Sequence, residues 1–164
     1  MNTVHPMMKF WIGLMMGWML SAQSQAADSS RIPELAYFGP ESFSALVAQR
    51  RPSIVVFSAS YCANCPAVVR SLSKSRRRAA LPPQLMVVMS DELPDQATRK
   101  QAYQDVDRLA VFQGNELAIR YAVNPAWRGL TPFVVLIGRD GEVSYFNGEP
   151  PARDLQAFMD RQAR

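Results

Sequence analysis

The chain has 164 residues, of which 48% are hydrophobic and 20% charged, and its formal net charge is +4. Such a length and balance fit one folded domain and exclude a disordered or low-complexity protein. The small positive excess aids solubility but does not make a nucleic-acid binder.

Residues 1–26 read as a secretory signal peptide. A short leader carrying Lys9 precedes an unbroken apolar run from Phe10 to Leu20, and Ser24-Gln25-Ala26 supplies a small-x-small cleavage site, with Ala27 as the alternative. Eleven residues make a helix of only ~16 Å against ~30 Å of hydrocarbon, so a permanent membrane anchor fits less well. No cysteine follows the run, which argues against a lipid anchor. Cleavage would remove Lys9, Trp11, Trp18 and the sole histidine, His5. A processed chain without histidine excludes Ser-His-Asp and Cys-His catalysis and any histidine metal site. Export also places the remaining cysteines in an oxidising compartment, with the periplasm as the expected location.

Residues 27–39 are polar at their start and read as a flexible N-terminal arm, followed by one domain over 40–164. Phe43, Leu46 and Val47 predict a helix over about 40–50, ended by Pro52. The β-branched run 53–59 predicts a central strand buried on both faces. A helix follows it, with Val68, Val69 and Leu72 inward, until Pro82-Pro83. Residues 84–90 predict a second buried strand, 95–110 a helix, 115–123 a short helix, and 132–138 a third buried strand. Asp140-Gly141 signals a hairpin turn into an alternating strand over 142–148. Leu155, Phe158 and Met159 give the terminal helix, 151–162, its apolar face. Strands separated by helices imply parallel pairing, and the final hairpin implies an antiparallel edge. The predicted class is therefore α/β, with a mixed central sheet and helices on both faces.

The only two cysteines, Cys62 and Cys65, are separated by Ala63 and Asn64, at the junction of the first buried strand and the following helix. A helix N-terminus offers partial positive charge and unpaired N–H groups, which favour a thiolate. Cys62 is thus the candidate nucleophile and Cys65 the resolving thiol of a thiol-disulfide exchange pair. Pro66 is tolerated in a first helical turn. Two plainer readings compete. A structural disulfide closing so short a loop gives little chain-entropy stabilisation. A zinc site would need further ligands that the processed sequence does not supply.

A second constellation is Thr131-Pro132 at the entrance of the third buried strand, where a proline loses no ladder hydrogen bond. Together these pieces resemble the thioredoxin superfamily: the segments VVFSASYCANC, LAIRYAV and LTPFVVLIGRDGEVSYFNG, and the closing helix. The resemblance covers about residues 40–164. It is similar to the exported Dsb and TlpA-like branches and, over FNGEPPARDLQAFMDRQ, to Dsb isomerase-type domains. It implies a thioredoxin-like fold, a cis bond before Pro132, and Thr131 and Pro132 as substrate-positioning residues beside Cys62. It also implies no bound cofactor, substrates among exported proteins with cysteines, and a redox partner protein. Three positions depart from the family pattern. Tyr61 replaces the usual tryptophan and keeps an aromatic wall. Val56 stands where an acid usually accepts a proton. Ala63-Asn64 matches neither the dipeptide of thioredoxins nor that of strong oxidants, which leaves the direction of electron flow open.

The basic stretch 70–78 reads as a solvated helix end rather than a docking patch, since cations complement a helix C-terminus. It lacks the aromatic interleaving of a nucleic-acid surface. Trp127 fits either the core or an apolar lip beside the cysteines. Asp91 and Glu92 read as loop solubility. The expected function is exported thiol-disulfide exchange. The rival readings are a non-catalytic binding module of an envelope or secretion assembly, whose disulfide is structural, and a thiol peroxidase.

Overall fold

A computed structural model describes residues 34–163. The expected signal peptide and most of the expected arm lie outside the described residues. Six strands form one sheet: β1 (Glu34–Phe38), β2 (Ser53–Ser58), β3 (Gln84–Met89), β4 (Arg108–Phe112), β5 (Phe133–Ile137) and β6 (Val143–Asn147). Five helices join them: α1 (Ser42–Ala48), α2 (Cys65–Arg76), α3 (Gln96–Ala102), α4 (Glu116–Val123) and α5 (Ala152–Gln162). The strand order is β1-β4-β3-β2-β5-β6.

Alternation along the strands makes two cores. Ile54, Val56, Leu85, Val87, Leu109, Val134 and Leu136 face one side and meet Val68, Val69 and Leu72 of α2, Ala102 of α3, and Leu155, Phe158 and Met159 of α5. Val55, Phe57, Met86, Val88, Ala110, Val135 and Ile137 face the other and meet Phe43 and Leu46 of α1 and Ile119 and Val123 of α4. β2, β3 and β5 are buried along their whole length, as their unbroken apolar runs require.

Three expectations are corrected. Residues 34–38 are not loose arm but strand β1, parallel to β4. Its alternation buries Phe38 and turns Tyr37 outward, and the sheet begins ahead of the expected boundary at residue 40. The helix expected over 95–110 stops at Ala102, and the chain then forms β4. Leu109 and Ala110 are both fully buried on opposite faces, a geometry set by pairing with β3 and β1 that the local sequence does not announce. Finally, β5 is antiparallel to β2 although helices intervene. Its first residue, Phe133, pairs with Phe57 near the end of β2. Pro132 is thereby delivered to the end of the sheet from which the cysteine segment departs.

α2 ends at Arg76, short of Pro82-Pro83. The Arg76 guanidinium bonds the carbonyls of Pro83 (3.0 Å) and Asp105 (2.8 Å) and both carboxylate oxygens of Asp107 (2.5 and 3.2 Å). The Asp107 carboxylate also accepts the Leu85 N–H at 2.8 Å. Arg77 pairs with Asp105 at 3.1 Å. Arg76, 11% exposed, is thus an internal clasp that fixes β4 against β3 and α2, whereas Arg77, 58% exposed, makes a surface ion pair and Arg70, Lys74 and Arg78 stay exposed along α2 and just past its end.

Candidate functional site

β2 ends at Ser58, and the chain makes a tight turn in which the Cys62 N–H donates to the Ala59 carbonyl at 3.0 Å. The Cys65 N–H donates to the Cys62 carbonyl at 3.2 Å. Cys65 is the first residue of α2, with Asn64 at the cap position and Pro66 in the first turn. Cys62 therefore lies just before the N-terminal end of a 12-residue helix. The partial positive charge of that end favours a sulfur anion.

Cys62 and Cys65 form a disulfide, with an S–S distance of 2.04 Å and a Cα–Cα distance of 5.5 Å. The two sulfurs differ in access. Cys62 is half-buried, while Cys65 is fully buried (0% exposed) on the inward stripe of α2 shared with Val68, Val69 and Leu72. Val56 is fully buried too, so no carboxylate stands at that position of the β2 face under α2. Polar side chains buried on the same side include the hydroxyls of Ser58 and Tyr103, 3.4 Å apart, and that of Ser73 in α2.

The Thr131–Pro132 peptide bond is cis. An open groove of ≈ 350 Å³ is lined by Tyr61, Cys62, Ala63, Asn64, Gly129, Leu130 and Thr131. Of the residues singled out in the sequence, the structure thus brings Tyr61, Cys62 and Thr131 to one surface. Cys65 lies behind that surface, bonded to Cys62. Pro132 follows Thr131 but does not line the groove, and its carbonyl accepts the Gly148 N–H at 2.8 Å. Tyr61 (76% exposed) and Leu130 (66% exposed) give the groove two apolar rims.

Two residues matter here that the sequence left undecided or set aside. Trp127 belongs to the core at 6% exposure, stacked on Phe133 at 4.7 Å and 9°, with Phe57 at 4.9 Å. Its indole N–H still reaches the site, donating to the Leu130 carbonyl at 2.9 Å. Asp91, read as loop solubility, ties down the cysteine turn. It accepts from the Ser60 N–H (2.9 and 3.1 Å) and from the Ser60 hydroxyl (2.5 Å). Burial alone would raise the Asp91 carboxyl, but the bonds from Ser60 and the Glu92 N–H outweigh it and hold the group below the usual aspartate value. The available signal was topological. β3 is parallel to β2, so residues following both strands meet at the carboxyl end of the sheet, where α/β folds place their sites.

Among the described residues, no group of three or more His, Cys, Asp or Glu is placed to hold a metal, and no helix is long and apolar enough to cross a membrane.

A half-exposed cysteine ahead of a helix, its buried partner within the first turn and the loop that leads into the cis-proline thus share one end of a mixed α/β sheet. No protein-family model and no curated protein matches the chain. Solved structures similar to it include a secreted disulfide oxidoreductase of Mycobacterium tuberculosis homologous to E. coli DsbE. That likeness has 19% identity and a TM-score of 0.43, covering 70% of this chain and 81% of that one. The N-terminal domain of PilB from N. meningitidis is similar at 22% identity and a TM-score of 0.47, covering 68% of this chain and 81% of that one. An exposed lipoprotein thioredoxin of Streptococcus pneumoniae is similar at 18% identity and a TM-score of 0.46, covering 70% and 88%.

Proposed function

We propose that the protein is an exported thiol-disulfide oxidoreductase that exchanges the Cys62–Cys65 disulfide with cysteines of other exported proteins. The observation that carries this reading is the unequal access of the two sulfurs: only Cys62 meets the groove. A partner thiolate attacks the Cys62 sulfur, the Cys62–Cys65 bond breaks, and Cys65 leaves as a thiolate. A second partner thiolate then attacks the partner's own sulfur in the mixed disulfide and releases the Cys62 thiolate. The partner gains a disulfide and the pair takes up two electrons. The reverse sequence reduces a partner disulfide, with Cys62 attacking and Cys65 resolving.

The surroundings support these roles. Among the described residues, no backbone group pairs with the N–H or carbonyl of Thr131, which leaves both free for an extended partner segment. Tyr61 and Leu130 offer apolar contact to it. Export rests on the leader pattern of residues 1–26 and agrees with a stable cysteine pair outside the cytosol. A redox partner protein that resets the pair is part of the same reading.

The test is trapping. Cys65→Ser protein incubated with an envelope extract should accumulate mixed disulfides through Cys62, released by reductant, while Cys62→Ser should accumulate none. Absence of adducts on Cys65→Ser would leave the structural-disulfide reading, in which the protein is a binding module.

A further inference from the structure

A second groove, of ≈ 360 Å³, adjoins the one at Cys62. Its lining includes Trp127 and Arg128, and the first groove continues with Gly129, Leu130 and Thr131, so the two share one stretch of chain. Leu117 and Tyr121 of α4 form its outer wall, each 69% exposed. With Tyr61 and Leu130, half of the large apolar side chains exposed among the described residues lie along these two grooves. Apolar surface gathered in this way marks an interaction site more than isolated exposed residues do.

The charged side chains that line the second groove are arginines. Arg120 and Arg128 line the second groove, and no carboxylate lines either groove. The Arg120 guanidinium lies under the loop: a Cβ added at Gly129 would collide with its Nη1. Its Nε is buried without a hydrogen-bond partner, and the Glu116 carboxylate stands 3.7 Å away. Arg128 is exposed and makes no ion pair among the described residues. The Arg128 guanidinium, exposed and unpaired beside apolar walls and backed by Arg120, suits a carboxylate carried on a polypeptide.

We propose that partner proteins dock across both grooves through an acidic segment. Its aromatic or aliphatic side chain rests against Leu117 and Tyr121. Its Asp or Glu carboxylate pairs with Arg120 and Arg128, a few residues from the cysteine presented to Cys62. The proposal rests on the exchange function and specifies its substrate class: cysteines flanked by acidic and apolar residues rather than by lysine or arginine.

The test uses the oxidised full-length chain after removal of any leader. Short capped peptides carrying one cysteine and an aromatic residue, with either acidic or basic flanks, reduce it under pseudo-first-order conditions. β-Mercaptoethanol serves as a neutral thiol. The acidic peptide should react about tenfold faster than the basic one at low ionic strength, and the ratio should shrink as salt is added. Arg128→Gln, and Arg120→Gln with Arg128→Gln, should bring the ratio toward one while the β-mercaptoethanol rate stays the same. Leu117→Ser with Tyr121→Ser should slow both peptides and keep the ratio. Equal rates for the two peptides on the unaltered protein, or a ratio that survives loss of both arginines, would overturn the proposal. The trapping experiment reports the function separately: adducts on Cys65→Ser without acidic preference overturn the docking proposal alone, and no adducts overturn both.

Discussion

Trp127 joins the core to the site, and replacing it separates the two roles. Its ring is 6% exposed, stacks on Phe133 at 4.7 Å, and lies 4.9 Å from Phe57 and 6.5 Å from Phe112. Trp127→Ala removes this filling and should cost about 3–5 kcal/mol. That is a large part of the ~5–15 kcal/mol that holds a domain together. With an m-value of roughly 1.5–2 kcal/mol per molar urea for a domain of this size, the midpoint should fall by about 2 M. Trp127→Phe keeps an aromatic ring against Phe133 but loses the indole N–H that holds the Leu130 carbonyl. Leu130 is exposed, so water can replace that bond, and its loss should cost only about 0.5–1 kcal/mol, plus roughly 1 kcal/mol for the smaller ring. The functional effect should be larger in proportion. With Leu130 and Thr131 released, partner peptides should react with the Cys62–Cys65 disulfide several-fold more slowly, while β-mercaptoethanol, which needs no groove, should not. Urea unfolding of the oxidised protein and stopped-flow reduction measure the two. A Trp127→Phe protein that loses stability yet reacts with partner peptides at the original rate would refute the link from indole to groove.

Other consequences follow from the clasps around the sheet. Asp107→Ala leaves the Arg76 guanidinium, 11% exposed, without its carboxylate and the Leu85 N–H without its acceptor, and should lower the urea-derived stability by about 3 kcal/mol. Asp91 carries a carboxyl whose folded value lies below the ordinary one of 3.8, so it adds stability above about pH 4 that is lost as pH falls through the folded value. Asp91→Asn should therefore be less stable than the unaltered protein at pH 7, with the gap narrowing toward pH 3, as read by thermal unfolding across pH. Val56→Asp places a carboxyl at a fully buried position. Burial raises such a group, so the destabilisation, about 3 kcal/mol or more at pH 7, should shrink as pH falls and the group takes up its proton.

Much of this arrangement is legible in the sequence because its signals are local. The unbroken runs of β2, β3 and β5, the placement of Cys62-Ala-Asn-Cys65 between strand and helix, and the apolar face of α5 each follow from neighbouring residues. Thr131-Pro132 is legible through the family resemblance. What was not legible depends on pairing between distant segments. β1 and β4 are five-residue strands defined by each other and by β3, and no proline or glycine marks the passage from α3 to β4. The antiparallel course of β5 beside β2 follows from the path of the whole chain, not from its own residues. Asp91 and Ser60 stand 31 positions apart, and only the parallel pairing of β2 with β3 brings them together. Arg76 was read with the solvated cations of the α2 end because its partners, the Asp107 carboxylate and the Asp105 carbonyl, lie in the segment read as helix.

The central claim is that Cys62–Cys65 is a redox pair rather than a staple, and its equilibrium with glutathione tests this most directly. The oxidised and reduced fractions of residues 27–164 should define a reduction potential between about −120 mV, typical of a dithiol oxidase, and about −270 mV, typical of a reductant, with equilibrium reached rapidly through Cys62. A potential below about −300 mV together with slow exchange would contradict the account and make the disulfide structural.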